Sequence, residues 1–426
     1  MKRFASIDFL RGFAIFMMLI LHMVSHIIDV DTLTADMSQV KFLELLLMIL
    51  LPFGGGLAGF FLMISAMGNT VSMEHELSRH TPGYMVARRQ IMGGLILLFF
   101  AMLVEGLIGY HGALGENVHS ALVAASDPLV GPFKWSWDIA TWRFNHFETI
   151  HTIAWCIILN GIIHGYLSSK EKYRDKSKLI KTYILLALIV LVLTPIMWGF
   201  AKLISPGYPA HLETYYLSYP RIGVDSFGRF ILVFFLQPLA GYPEPVFPYL
   251  AASFIGTIFG IFLTMPKEER KVKPFAKTAF TVGLVMYLIG LVGVIANIVK
   301  VIATNGFDAG LDVYMHIWDH RGWVPELRGT PWMGWYFQFM LLNGMGIMLI
   351  MSILRIVELR GIAKPFGEKT RYIRRFGFVA FTNYTIQFMY YIAAFIAVDW
   401  VFGHVYGPNV GLWGETILTI IIGMTI

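Results

Sequence analysis

The chain has 426 residues, of which 57% are hydrophobic and 14% charged, and its mean hydropathy is +0.65. A soluble domain carries about 25% charged residues, so the composition excludes an ordinary soluble protein and is that of a membrane protein. The net charge of +6 does not argue for nucleic acid, because the basic residues sit in short loops between apolar runs. The single cysteine, Cys156, rules out an intramolecular disulfide and a thiolate metal cluster.

Crossing a ~30 Å hydrocarbon core takes about 20 helical residues. Apolar runs predict spans near residues 8–28, 42–68, 90–110, 147–166, 181–203, 247–265, 277–303, 333–358, 376–402 and 411–426. The first run follows Met1 to Arg3 as a signal peptide's would, but Arg11 interrupts it and no small-residue cleavage site follows. It therefore reads as a retained span.

A shorter run, 227–240, is settled by loop charge. Four loops are basic: Arg79, Arg88 and Arg89; Lys170 to Lys178; Lys267 to Lys273; and Arg360 to Arg375. The loops between them are acidic or mixed. The positive-inside rule places the basic loops in the cytoplasm. They alternate consistently only if 227–240 does not cross fully, so it reads as re-entrant or interfacial, with the Pro-rich stretch from Gln237 to Pro248 breaking the helix behind it. The expected architecture is an all-α polytopic transmembrane helix bundle of about ten spans plus that segment. It forms a single domain over 1–426, with the N-terminus and C-terminus cytoplasmic. No clean inverted repeat is visible, which weighs against the common transporter plan.

Ionisable groups inside a span are costly and mark function. In the first span Asp8, Arg11, His22 and His26 share a stripe. At ~100° and ~1.5 Å per residue, Arg11 and His22 project within about 20° of each other and lie ~16 Å apart along the axis. Arg11 then sits near the cytoplasmic mouth and His22 in the outer half. The competing explanation is a snorkelling arginine and a histidine bonded to a neighbouring helix. Glu148 and His151, three residues apart, open the fourth span near the outer surface, where Glu105 also ends the third. A carboxylate beside an imidazole raises its basicity and fixes its tautomer, as general-base chemistry requires, although an interfacial pair has the same spacing.

Arg88 and Arg89 open the third span on the cytoplasmic side, where they suit the phosphates of a nucleotide-bearing cofactor or serve as positive-inside anchors. Asn383 and Gln387 lie one turn apart in an apolar stretch and should face protein or a cavity. The Gly54-Gly55-Gly56 run lacks the strand and lysine of a phosphate loop. His316 and His320 have metal-ligand spacing but fall in a loop without an established helix, so no metal is expected.

The stretch from Ser6 to Ala14 (Ser-Ile-Asp-Phe-Leu-Arg-Gly-Phe-Ala), continuing to His22, resembles the first helix of the membrane acyltransferase superfamily, which includes acyltransferase-3 proteins and heparan-alpha-glucosaminide N-acetyltransferase relatives. Residues 59–66 resemble the second helix of those proteins, and Ala87-Arg88-Arg89 the arginine pair opening the third. Three later stretches, Phe147 to His151, Phe247 to Leu250 and Ala380 to Gln387, resemble the heparan-acetyltransferase-like branch and its prokaryotic relatives. The resemblance implies an acyl-CoA-dependent acyltransferase in a plasma membrane. Acetyl-CoA would be the donor from the cytosol, and a hydroxyl or amino sugar the acceptor at the outer side. It implies His22 as the catalytic histidine, Arg11 as its motif partner, and Arg88 and Arg89 as CoA contacts; Arg11, Asn383 and Gln387 are further candidates for holding the donor, the last two with a role as interhelical hydrogen bonds as the alternative. Glu148 and His151 complete the expected acid and base set. The reactive-histidine motif that follows the first helix in the heparan enzymes is not found here. The rival reading is a transporter that uses the Arg, His and carboxylate groups as a substrate or proton site. A homo-oligomer is left open.

Overall fold

The computed structural model describes residues 4–27, 46, 49–50, 52–54, 56–108, 112–126, 132–137, 140, 144, 147–204, 226–241, 244–315, 317, 334–387 and 389–390. The expected span 411–426, most of 376–402, and both His316 and His320 lie outside these residues, as does the side chain of His26.

The described chain is a helix bundle. In order, α1 is Ala5–Ile27, α2 Leu57–Ser78, α3 Gly83–Leu103, α4 Ala113–Ser126, α5 Thr149–Ser168, α6 Lys176–Ile204 and α7 Phe227–Ala240. Then follow α8 Val246–Thr264, α9 Val272–Asn305, α10 Phe307–Met315, α11 Gly334–Leu354, α12 Ala363–Lys369, α13 Arg371–Phe378 and α14 Ala380–Thr385. Eight helices among the described residues are long and apolar enough to cross a membrane, so the chain is an integral membrane protein. Helices suit this solvent because each satisfies its own backbone donors and acceptors where no water is present.

The centre of the bundle is α8, whose membrane window is 83% buried, whereas α9 and α6 turn most of their surface outward, with only 22% and 28% buried. Helix α8 packs against α2, α5 and α6; α3 packs on α5, α9 on α11 and α1 on α13. Since lipid tails are as apolar as leucine, close backbone approach drives these contacts. Gly83 and Gly165 press α3 onto α5, and Gly256 lies against the Met63 backbone of α2. Gly12 of α1 faces the Ile373 carbonyl and Gly377 of α13, so the glycine after Arg11 is the point where α13 docks.

Helix α7 has 14 residues, about 21 Å at ~1.5 Å per residue, which is shorter than a ~30 Å hydrocarbon core. Its N-cap is Ser226, whose hydroxyl accepts from the Arg229 amide. Two expected boundaries move. Helix α2 runs to Ser78 and not to 68, and α3 starts at Gly83 and not near 90. The predicted continuous span from 376 is instead broken at Val379, where α13 ends and α14 begins. Asp8 and Gly12 of α1 press against Gly377 here, and Phe16 meets the Tyr372 and Phe376 rings, so α13 lies along α1.

Candidate functional site

The bundle has two polar ends. One carries the basic loops, and the other carries Glu105, Glu148 and Glu244.

At the acidic end, α3 finishes in a wider π-type turn, Val104–Ile108, that carries Glu105; such turns concentrate at functional sites. Glu105 is buried, and Tyr384 of α14 donates its hydroxyl to Glu105 Oε1 at 2.7 Å. One turn beyond Tyr384, Gln387 is buried and its Oε1 lies 2.9 Å from His22 Nδ1. A carbonyl oxygen only accepts, so this contact assigns the Nδ1 proton and leaves the lone pair of a neutral His22 ring on Nε2. Met18, one turn before His22, packs with Val104, Ile150 and Tyr384, which ties α1 to the same corner.

Glu148 is the residue before the first turn of α5, half-buried, and His151 is fully buried one turn later. Glu148 and the Phe144 backbone are within electrostatic reach of His151, and among the described residues neither of its ring nitrogens makes a well-formed hydrogen bond. The segment entering α8 closes over them: the Glu244 amide donates to the Phe147 carbonyl at 3.1 Å, and the Thr152 hydroxyl donates to the Glu244 carbonyl. The Glu244 residue is half-buried, but its Oε2 is enclosed without a hydrogen-bond partner among the described residues. Burial pushes its carboxyl up to about 8, and the charges of Glu148 and Glu105 add to this while a Thr149 hydrogen bond opposes it. Glu244 therefore holds a proton at neutral pH, beside two further carboxylates.

Arg11 and His22 share α1 but meet different neighbours. The Arg11 guanidinium lies over α2 at Gly68, where an added Cβ would come within 2.9 Å of Nη2. Asp8 pairs with Arg374 at 3.3 Å, and Ser6 donates to Glu358 at 2.8 Å, so the start of α1 is tied to the basic end. Arg88 and Arg89 are exposed on α3, and Arg89 pairs with Glu76 at 2.8 Å. Asn383 is buried and its Oδ1 accepts from the Tyr390 hydroxyl at 3.0 Å. The structure thus gathers His22, Gln387, Glu148 and His151 at the acidic end, and leaves Arg11, Arg88 and Arg89 toward the basic end.

Sequence reading missed a cleft of about 1220 Å³ at the basic end between the ends of α2, α3, α5, α6 and α8. Arg174, Lys176, Lys267 and Arg270 line it, and the chain beside Arg88 contributes Tyr84 and Ala87. Arg270 also caps α8, donating to the Leu263 and Met265 carbonyls at 2.9 and 2.6 Å. Its guanidinium is partly desolvated, which lowers its proton affinity from the ordinary arginine value. The sequence signal was present, because three separate basic loops end on this rim. Among the described residues no group of three or more His, Cys, Asp or Glu side chains is arranged to hold a metal ion.

Residues 3–114 match the family model described as heparan-alpha-glucosaminide N-acetyltransferase, catalytic. The match spans α1 to α3, including Arg11, His22, Gly68, Arg88, Arg89 and Glu105, and supports the heparan-acetyltransferase-like membrane acyltransferase family read from the sequence. No curated protein matches the chain.

Proposed function

We propose that this protein is a membrane acetyltransferase that takes an acyl group from acyl-CoA at its basic, cytoplasmic end. It passes the group to a hydroxyl or amine of a sugar-like acceptor at its acidic, outer end. The observation that carries this reading is the His22 to Gln387 hydrogen bond of 2.9 Å, which orients an imidazole as a base within the family-matched segment.

The donor's phosphates bind at the rim of the basic cleft. Arg174, Lys176, Lys267 and Arg270 supply positive charge, Arg88 and Arg89 extend it along α3, and Arg11 lies deeper on the way to His22. His22 Nε2 takes the proton from the acceptor O–H or N–H as that atom bonds to the thioester carbonyl carbon. The C–S bond then breaks, and the thiolate leaves with the CoA portion. Gln387 holds the ring, and Asn383, one turn away, keeps that face polar. Glu148 and His151, with protonated Glu244 and the Tyr384–Glu105 pair, form the polar wall against which the acceptor's hydroxyls and amine pack.

The test uses reconstituted protein with labelled acetyl-CoA and a panel of amino sugars and glycosides. Acceptor labelling with CoA release in the wild type, lost in His22→Ala, is expected. Equal turnover in His22→Ala removes the proposed base, and acceptor uptake without CoA consumption favours a transporter.

A further inference from the structure

A second buried polar system runs through α2, α5, α6 and α8, separate from His22. Its first member is Glu74 of α2, which lines the basic cleft together with Lys176. Lys176 Nζ donates to both Glu74 oxygens, at 2.8 and 2.6 Å. Glu74 Oε1 lies 3.1 Å from His164 Nε2, and His164 Nδ1 lies 3.0 Å from the Tyr183 hydroxyl. Tyr183 donates to Asn160 Oδ1 at 3.0 Å, Asn160 Nδ2 donates to Thr257 Oγ1 at 2.7 Å, and Thr257 donates to the Ser253 carbonyl at 3.0 Å. His164 and Tyr183 are completely buried. Beyond Asn160 lies an inner cavity of about 10 Å³ that Ser65, Asn69, Gln90, Cys156 and Ser253 also line, which is room for about one water molecule.

Counting protons along this chain shows that its contacts need one proton that has two possible places. Tyr183 has a single hydroxyl proton and gives it to Asn160, so His164 Nδ1 must donate to the Tyr183 oxygen. The contact between Nε2 and Glu74 also needs a proton. That proton sits either on Nε2, giving an imidazolium beside a carboxylate, or on Glu74, giving a carboxylic acid beside a neutral ring. Moving between the two breaks one O–H bond and forms one N–H bond across 3.1 Å. Without this proton, Nε2 keeps the ring's only hydrogen, Tyr183 must turn its hydroxyl toward Nδ1, and Asn160 Oδ1 loses its donor. Loading at Glu74 is therefore read out at Asn160, on the far side of two buried rings.

We propose that Glu74, His164 and Tyr183, with Lys176 as the counter-ion, form a proton relay. It takes up a proton from the basic-end cleft, holds it between Glu74 and His164 Nε2, and passes its presence to the bundle interior as the direction of the Tyr183 hydroxyl at Asn160. Ionisable groups at membrane depth line proton paths in this manner. The charged and titratable groups around the entrance are Lys176, Arg174, Lys267, Arg270, His75 and His80, with the hydroxyls of Tyr84, Tyr166 and Tyr173. The relay does not depend on which reaction the outer site performs.

The test is a nitrogen NMR titration of the full-length protein in lipid nanodiscs, with ring-labelled histidine and the His164 signal assigned by its loss in His164→Gln. Across the titration, wild-type His164 is expected to show both doubly and singly protonated forms in reversible exchange and to exchange its ring protons with solvent. Glu74→Gln should abolish the doubly protonated form. Tyr183→Phe, which removes one hydroxyl, should keep that form and move only the Nδ1 signal. A wild-type His164 locked in one neutral tautomer, with ring protons protected from solvent, overturns the relay whether or not the variants fold.

Discussion

Replacing Glu244 by glutamine should make the protein more stable at neutral pH and remove part of its pH dependence. In the folded chain the Glu244 carboxyl titrates at about 8, against an ordinary value of 4.5, because its Oε2 is enclosed and Glu148 and Glu105 stand nearby. Below pH 4.5 both folded and unfolded states carry the proton, and the group is neutral to stability. Between 4.5 and 8 the unfolded chain releases the proton while the folded chain keeps it. Folding then takes up a proton, and stability falls as pH rises. By pH 7 the gap is about 2.5 pH units, on the order of 3 kcal/mol at ~1.36 kcal/mol per unit. The loss levels off above pH 8. Glutamine retains the shape and the Thr149 contact without the ionisation. The assay is unfolding of nanodisc-embedded protein followed from pH 4.5 to pH 8.5. The wild type should lose stability across that window relative to Glu244→Gln, with the curves converging at the acid end. Parallel curves would refute the reasoning, since they would mean that Glu244 ionises in the folded state as readily as in the unfolded one.

Gln387→Leu leaves the His22 Nδ1 proton without this acceptor, a loss of about 1 kcal/mol, and should lower kcat/KM for acyl transfer about fivefold, while Gln387→Glu keeps most of it. Gly12→Val sets a side chain against the Ile373 backbone, with Gly377 N only 3.1 Å from the added Cβ. Neither backbone can yield cheaply, so destabilisation of about 1–3 kcal/mol is expected in thermal unfolding. Reversing charge at the cleft with Lys267→Glu and Arg174→Glu together should weaken acetyl-CoA binding by about tenfold at low salt and less at high salt, as read by equilibrium titration. Unchanged affinity would remove the cleft as the donor's entrance.

Some of this was legible one residue at a time. The Arg11 to His22 stripe, the alternation of basic and acidic loops, and the intramembrane position of Glu105, Asn383 and Gln387 follow from helix periodicity and the cost of charge in lipid. Other features were hidden because a partner hundreds of residues away alters that cost. Glu74 looked like a loop residue, since the apolar run seemed to stop near 68, yet α2 continues to Ser78. It can do so because Lys176 and His164 satisfy the carboxylate inside the bundle.

The sequence alone determined that this is a helical membrane protein, where the basic loops fall, and that Arg11, His22 and Glu105 belong to apolar runs. These depend only on composition and on geometry within one helix. Tertiary structure decided who meets whom. His22 meets Gln387, Gly12 admits α13, and Glu74 joins His164 across α2 and α5. The physical reason is that helix packing in lipid turns on close backbone approach and on polar pairs between distant segments, and periodicity within one segment carries no information about its partner.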